Sequence, residues 1–373
     1  TTCSRIAYFL DNAESVLGAE TVLDDPDSGL QEQISHEPLG VIANISAWNY
    51  PYFVGSNVFI PALLAGNAVL YKPSEFVPLT GMAIARLMTE AGLPDGLFQT
   101  ILGTGAAGAE LLSHPLNGVF FTGSYATGAK IASAAASQMM KVQLELGGKD
   151  PVYVADDVDI AAVAPAVADG AFYNTGQSCC AVERIYVHRK IYQPFVDAFM
   201  ATVKDCVVGD PSDENTYIGA IARPAQIEVL KQQVADAVAK GATLLTGGDR
   251  LPCPGYVFAP TVLVNVNHSM AVMTEESFGP IIGIQAVDDD AEAIALMQDT
   301  PYGLTASVYT PSRDRATAIL RAMNTGTVYW NCCDRVSPRL PWSGRGHSGI
   351  GLTLSNYGIQ TFTQPKAWHL RQV

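Results

Sequence analysis

An alternation limits what this chain can fold into more than any other feature. Short continuous apolar runs recur between helical patterns and close on turns that carry glycine or proline. Leu39-Gly40-Val41-Ile42-Ala43-Asn44-Ile45, Ala68-Val69-Leu70-Tyr71-Lys72, Phe98-Gln99-Thr100-Ile101-Leu102 and Val119-Phe120-Phe121-Thr122 read as buried strands. Helices are predicted after Asn49 as far as Leu64, over 78–91 before Gly92, after Gly105, and from Gly123-Ser124 to Ser137. Strands and helices alternating at this pace predict an α/β fold with a parallel sheet. Ligands of such sheets sit outside the carboxyl ends of the strands, where Asn49, Lys72, Gly105 and Gly123 fall.

The rhythm then continues into a second α/β domain. Strands are predicted at 150–154, 184–188, 243–246, 257–264, 281–287, 305–309 and 326–330. Helices are predicted at 159–173, 191–206, 223–239, 290–297 and 312–322. Upstream, residues 3–17 read as a helix, followed by two strand-like arms around the turn Asp24–Gly29. Residues 331–351 read as irregular, and Gln360–Gln364 has strand propensity that could return to the arms. The arms are either a plain surface hairpin or a contact with a second subunit.

A chain of 373 residues is long enough for two domains, and 48% hydrophobic against 16% charged content supports a large core. The net charge of −14 argues against nucleic acid or an anionic membrane as partner. No apolar run reaches the length of a membrane span, and Ile6–Leu10 is too short for a signal peptide. Seven cysteines, two pairs of them adjacent, form no visible disulfide framework, which predicts a reducing, cytoplasmic compartment. The six histidines are scattered and none pairs with cysteine at ligand spacing, so no metal is expected.

Chemistry concentrates around Cys179. The stretch Gly176-Gln177-Ser178-Cys179 turns between a helix and a strand, which holds a thiol beside backbone N–H groups. Such donors can steady a thiolate and the oxyanion formed when it attacks a carbonyl. Glu145, flanked by Leu144, Leu146 and Gly147-Gly148, is expected to be partly desolvated and so to approach useful base strength. Asn49 after a strand reads first as a turn former or helix cap, with a second oxyanion donor as the other reading. Lys72 and Glu75 fit a surface Lys-Pro turn with a capping Glu, and Glu276 before Phe278 fits a turn start. Gly103-x-Gly105-x-x-Gly108 is a weak dinucleotide signal, because no acidic residue about 20 positions later completes it.

Taken in order, six motifs resemble the aldehyde dehydrogenase superfamily. They are Trp48-Asn49-Tyr50-Pro51, Lys72-Pro73-Ser74-Glu75, Phe121-Thr122-Gly123-Ser124, Leu144–Lys149, Gly176–Cys179 and Glu275–Pro280. The resemblance implies two parallel-sheet α/β domains plus a small β oligomerisation arm. The cofactor domain would be 1–20 and 39–147, the arm 21–38 and 359–373, and the catalytic domain 148–358. It also implies family segments before residue 1, so the chain reads as trimmed or partial. Cys179 is then the nucleophile, Glu145 the base that activates the hydrolytic water, and Asn49 an oxyanion donor. NAD, with NADP as an option, would contact Ile45, Ser46, Ala47, Trp48, Lys72, Ser74, Glu75, Gly105, Thr122, Gly123, Ser124, Leu146, Gly147, Glu276 and Phe278.

By position, a substrate pocket would be lined by Tyr50, Val54, Ser178, Cys180, Trp342 and Tyr357. An aromatic box suits an apolar or cationic aldehyde better than a dicarboxylic semialdehyde. The implied activity is oxidation of an aldehyde to a carboxylic acid through a cysteine thiohemiacetal and thioester, in a homodimer or homotetramer. Relatives that pass the acyl group to coenzyme A generally lack the glutamate that stands here at 145. A coenzyme A-acylating enzyme, a catalytically inactive fold relative and a cysteine hydrolase remain as alternatives. The segment Ser348–Leu354 departs from the family's polar, Arg-Glu-bearing pattern.

Overall fold

The computed structural model describes residues 2–372. The chain divides into two compact units. One holds residues 2–146, Val336–Ser343 and 349–372; the other holds Gly147–Arg335 and Gly344–Ser348. Segments 336–343 and 349–358, read from the sequence with the second domain, thus pack with the first.

In the first unit a six-stranded sheet runs in the order Gly349–Ile350, Lys141–Glu145, Gly118–Thr122, Val41–Ile45, Ala68–Lys72, Phe98–Thr100. All neighbours are parallel except Gly349–Ile350, which pairs antiparallel with Leu144–Glu145. Both faces are covered. Ile42, Val69 and Phe120 pack into one core, and their neighbours Ala43, Val119 and Phe121 into another. Burial on both sides is why these strands read as unbroken apolar runs. The chain builds outward from Val41–Ile45 to one edge and then returns to add Gly118–Thr122 on the other side. The strand order therefore switches between those two strands.

A separate antiparallel sheet of three strands joins Glu20–Asp25, Leu30–Pro38 and Thr363–Arg371. The returning strand starts later than expected, because Ser355–Gln360 forms a short helix. It then runs the full length of its partner, from Thr363 opposite Pro38 to Arg371 opposite Leu30.

The second unit is built on seven strands. Their order is Thr243–Thr246, Thr261–Val264, Ile281–Val287, Arg184–His188, Pro151–Val154, Thr305–Tyr309, Thr327–Trp330. Only the edge strand Thr243–Thr246 is antiparallel. Tyr153 and Tyr186 face one core, while Val152, Ile185 and Val187 face the other with Phe195 and Phe199 of helix Tyr192–Lys204.

Several expected elements change. The helical run expected between Asn49 and Leu64 occupies Ser56–Leu64, after turns in which Val54 N–H donates to Tyr50 O at 2.9 Å. Pro51 has no N–H to give, and the bulky run Tyr50–Phe53 turns before the helix begins. The strand expected at 257–264 is confined to Thr261–Val264, beyond Pro260. Residues 331–351, read as irregular, contain the edge strand Gly349–Ile350.

Candidate active site

In the second unit, Cys179 follows an abrupt end to helix Ile160–Phe172. Asn174, Thr175 and Gly176 take φ values of 49°, 58° and 68°, three left-handed residues in a row. For side chains with a β-carbon this costs about 1–2 kcal/mol each. Side-chain bonds over-determine the turn. Thr175 Oγ1 accepts from Gly219 N–H at 3.1 Å, and Gln177 Oε1 accepts from Ala222 N–H at 2.9 Å. Asn174 O accepts the Gln177 N–H at 3.0 Å. Gly176 is needed twice over, because a β-carbon there would also come within 2.3 Å of Gly279 O.

This turn separates two adjacent thiols. Cys179 is partly exposed, whereas Cys180 is buried. The Cys180 thiol donates to Asp334 Oδ1 at 2.8 Å. Its hydrogen-bonded neighbour Cys179, burial and the Asp334 carboxylate push its pKa well above the usual thiol range. Cys180 is thus held as a neutral thiol. Ser178 is also buried, and its hydroxyl accepts from Tyr173 OH. None of the seven cysteines is in a disulfide.

Cys179 lies just before strand Arg184–His188, so it stands at the amino edge of this sheet. Two further expected residues belong to the same unit. Glu276 Oε1 accepts the Gly148 N–H at 3.1 Å. Burial, with the nearby Glu183 carboxylate, raises the Glu276 pKa to about 7. Phe278 has a φ of 49°. Beneath this turn lies a buried network that the sequence reading did not assign. Lys149 Nζ donates to Glu183 Oε2 at 2.6 Å and to Ser277 Oγ at 3.0 Å. Lys149 closed the quoted Leu144–Lys149 motif without a role, and Glu183 lay outside the quoted motifs, beside the strand read at 184–188.

In the first unit, Glu145 closes strand Lys141–Glu145 and is 5% exposed. Burial raises its pKa to about 7, against the pull of a Trp342 hydrogen bond and the Arg5 charge. Trp342 Nε1 donates to Glu145 Oε1 at 2.8 Å. A backbone bridge to Thr353 holds Trp342 in place, with N–H to O distances of 2.7 and 2.9 Å. Arg5 is buried on helix Thr2–Leu17. It donates to Asn57 Oδ1 at 2.7 Å and lies 3.5 Å from the Phe53 ring centroid. Its role was not read from the sequence. Trp342, expected as a pocket wall, is a partner of the carboxylate.

The remaining first-unit residues gather at one edge. Ile45 pairs with Lys72 on one side and Phe121 on the other, and Thr122 pairs with Glu145. A row of strand carboxyl ends therefore spans the point where strand order switches, the usual ligand crevice of such sheets. Ser46, Ala47 and Trp48 leave from one strand, and Thr122, Gly123 and Ser124 from the next. Ser124 N-caps the helix Tyr125–Ala136, whose positive end suits a phosphate. Lys72 is buried, and burial lowers its pKa against the opposing pull of Glu75. Ser74 is buried, Glu75 is exposed, and Leu146 is buried. Gly105 is exposed at the start of the seven-residue helix Gly105–Leu111. Asn49 and Tyr50 are partly exposed, Val54 is buried, and Tyr357 is largely exposed. These features fit a dinucleotide.

Among the described residues no cluster of His, Cys, Asp and Glu could hold a metal, and no helix is long and apolar enough to cross a membrane. Residues 1–368 match the model of the aldehyde dehydrogenase family. The chain is 37% identical over 345 residues to peroxisomal aminoaldehyde dehydrogenase 1 of Pisum sativum, covering 91% of this chain and 69% of that protein. Lactaldehyde dehydrogenase from Escherichia coli superposes with a TM-score of 0.95 at 35% identity, covering 100% of this chain and 78% of that one. The NAD-dependent aldehyde dehydrogenase from Sinorhizobium meliloti gives 0.96 at 33% identity, covering 99% and 74%.

Proposed function

The chain belongs to the aldehyde dehydrogenase family, whose members oxidise aldehydes with NAD or NADP, and on that premise we propose that Cys179 carries the reaction and Glu145 completes it. The observation that supports this best is the contrast between adjacent thiols. Cys179 is partly exposed at a strained, hydrogen-bonded turn, while Cys180 is buried and committed to Asp334.

The Cys179 thiolate adds to the aldehyde carbon, and the carbonyl oxygen becomes the alkoxide of a thiohemiacetal. The Asn49 amide and the Cys179 N–H are the proposed donors to that oxygen, each worth ~10²–10³ in rate. When bound, the nicotinamide supplies the acceptor for the hydride that leaves this carbon, and a thioester remains on sulfur. Glu145 then takes a proton from water, whose oxygen adds to the thioester carbon. The sulfur leaves as thiolate and the product is a carboxylic acid. A carboxyl with a pKa of about 7 is ionised often enough at neutral pH to act as that base.

The proposed dinucleotide contacts are Ile45, Ser46, Ala47, Trp48, Lys72, Ser74, Glu75, Gly105, Thr122, Gly123, Ser124, Leu146, Gly147, Glu276 and Phe278. Tyr50, Val54, Ser178, Cys180, Trp342 and Tyr357 are the proposed substrate contacts, for an apolar or cationic aldehyde. The pea relative's name, an aminoaldehyde dehydrogenase, supports the cationic choice. Assembly as a homodimer or homotetramer through the three-stranded sheet, in the cytoplasm, completes the reading, and light scattering of the purified protein reports the assembly.

The test is nicotinamide reduction followed by absorbance, with an aminoaldehyde, lactaldehyde and a dicarboxylic semialdehyde as substrates and no coenzyme A. Cys179→Ala abolishes turnover while NAD binding persists. Glu145→Gln gives an initial burst followed by slow release. Normal turnover in either variant removes that residue's role, and the highest kcat/KM on the dicarboxylic semialdehyde overturns the substrate class.

A further inference from the structure

Resting on the reading of Glu276 and Phe278 as cofactor contacts, we propose that Glu183 is a positioning residue. It ties the segment carrying Cys179 to the turn that presents Glu276 and Phe278, so cofactor affinity depends on a carboxylate that touches neither substrate nor cofactor.

The geometry is a charged clamp on two consecutive backbone amides. Glu183 Oε1 accepts the Phe278 N–H at 3.0 Å and the Ser277 N–H at 3.2 Å. Oε2 accepts the Ser277 N–H at 2.9 Å and Lys149 Nζ at 2.6 Å. Lys149 also donates to Ser277 Oγ at 3.0 Å, so the same turn is held from two sides. Glu183, Lys149 and Ser277 are all buried. The backbone of Glu183 is itself anchored, its N–H donating to Asp150 O at 2.9 Å.

What the clamp holds is a conformation that would otherwise relax. Phe278 sits at a φ of 49°, which an aromatic residue with a β-carbon adopts only where its surroundings impose it. Only an ionised carboxylate offers two acceptor oxygens to two amides and an ammonium at once. A glutamine in its place would turn one amide group toward donors. Lys149 follows Gly148, whose N–H donates to the Glu276 carboxylate at 3.1 Å. The Gly148-Lys149 dipeptide thus anchors Glu276 directly and Phe278 through Glu183.

A buried ion pair kept only for stability makes a different prediction. Such pairs are weak stabilisers against an apolar replacement of both partners, yet breaking one alone is costly. Glu183→Gln, Lys149→Met and the double variant therefore separate the roles in the intact protein. Thermal unfolding, the KM for NAD, the KM for aldehyde and kcat are measured for each. Glu183→Gln is expected to raise the KM for NAD by about tenfold, with a smaller change in the KM for aldehyde. The double variant is expected to recover Tm while the KM for NAD stays raised. If the KM for NAD returns to the wild-type value together with Tm, or never moves, Glu183 is structural and the inference is overturned. Glu276→Gln serves as the reference. If it leaves the KM for NAD unchanged, the underlying cofactor reading fails. If it raises that KM while the Glu183 variants do not, only the present inference fails.

Discussion

Burial alone would leave a carboxyl such as Glu145 protonated through neutral pH, and a protonated carboxyl cannot accept a proton from water. Two neighbours oppose that. The Trp342 indole donates to one oxygen at 2.8 Å, and the buried Arg5 contributes positive charge. Both favour the ionised form, and the balance leaves the pKa at about 7. If deacylation limits turnover, its rate should rise with pH along a single inflection near that value. Arg5→Met removes the charge and moves the inflection upward, lowering the rate at pH 7 by about three- to tenfold and restoring it at higher pH. Arg5→Lys keeps a cation and should largely keep the profile. Single-turnover acyl release, measured from pH 5.5 to 9.5, checks this. An inflection that does not move in Arg5→Met would remove Arg5 from the account.

Elements were legible where their own side chains carried the signal. Ile42-Ala43 and Phe120-Phe121 bury successive residues on opposite faces, so the strands announced themselves as apolar runs. Strand Lys141–Glu145 did not, because Lys141 and Gln143 interrupt it. Only a tertiary contact accommodates the first of them, Lys141 Nζ donating to Thr363 O at 3.1 Å. Gly349–Ile350 is shorter still, and its placement is set by approach to a neighbour. A β-carbon at Gly349 would lie 1.9 Å from Leu144 O, which no local pattern reports. The site divides the same way. The Gly-Gln-Ser-Cys turn was visible as a glycine turn between a helix and a strand. The Trp342 contact to Glu145 joins residues 197 positions apart, and Arg5 reaches Glu145 from the far end of the unit's sequence, so neither leaves a local trace. Cys180, one residue from Cys179, could be told apart from it by motif position, but its bond to Asp334 needed the fold.

For the whole molecule, stability against pH is set by two opposed groups of carboxyls. Glu145 and Glu276 have pKa values raised to about 7 and Asp150 to about 8, in each case first by burial. In the unfolded chain they ionise near the ordinary values of 4.5 and 3.8. The folded state therefore binds more protons between those limits, and stability declines as pH rises from about 4 toward 8. Asp156 and Asp290 act in the opposite sense. Lys190 and Arg315 hold Asp156 below the usual range, and Arg315 does the same for Asp290. Their contribution is present above the unfolded value and is lost as pH falls through the folded one. Together these groups place their combined contribution at its maximum near pH 4.

Asp150 is the group to test. It is 3% exposed, and it accepts from Thr305 N–H at 3.1 Å and from Thr305 Oγ1 at 2.6 Å. A shift from 3.8 to about 8 corresponds to roughly 6 kcal/mol lost across that range. Asn in its place keeps an acceptor for the Thr305 N–H and never ionises. Asp150→Asn should therefore match the wild type within about 1 kcal/mol near pH 4 and become progressively the more stable protein toward pH 9. Thermal unfolding of both proteins across that range gives the comparison. Parallel curves would mean that Asp150 is ionised in the folded protein at its ordinary pKa, and the descending limb would then have to come from Glu145 and Glu276 alone.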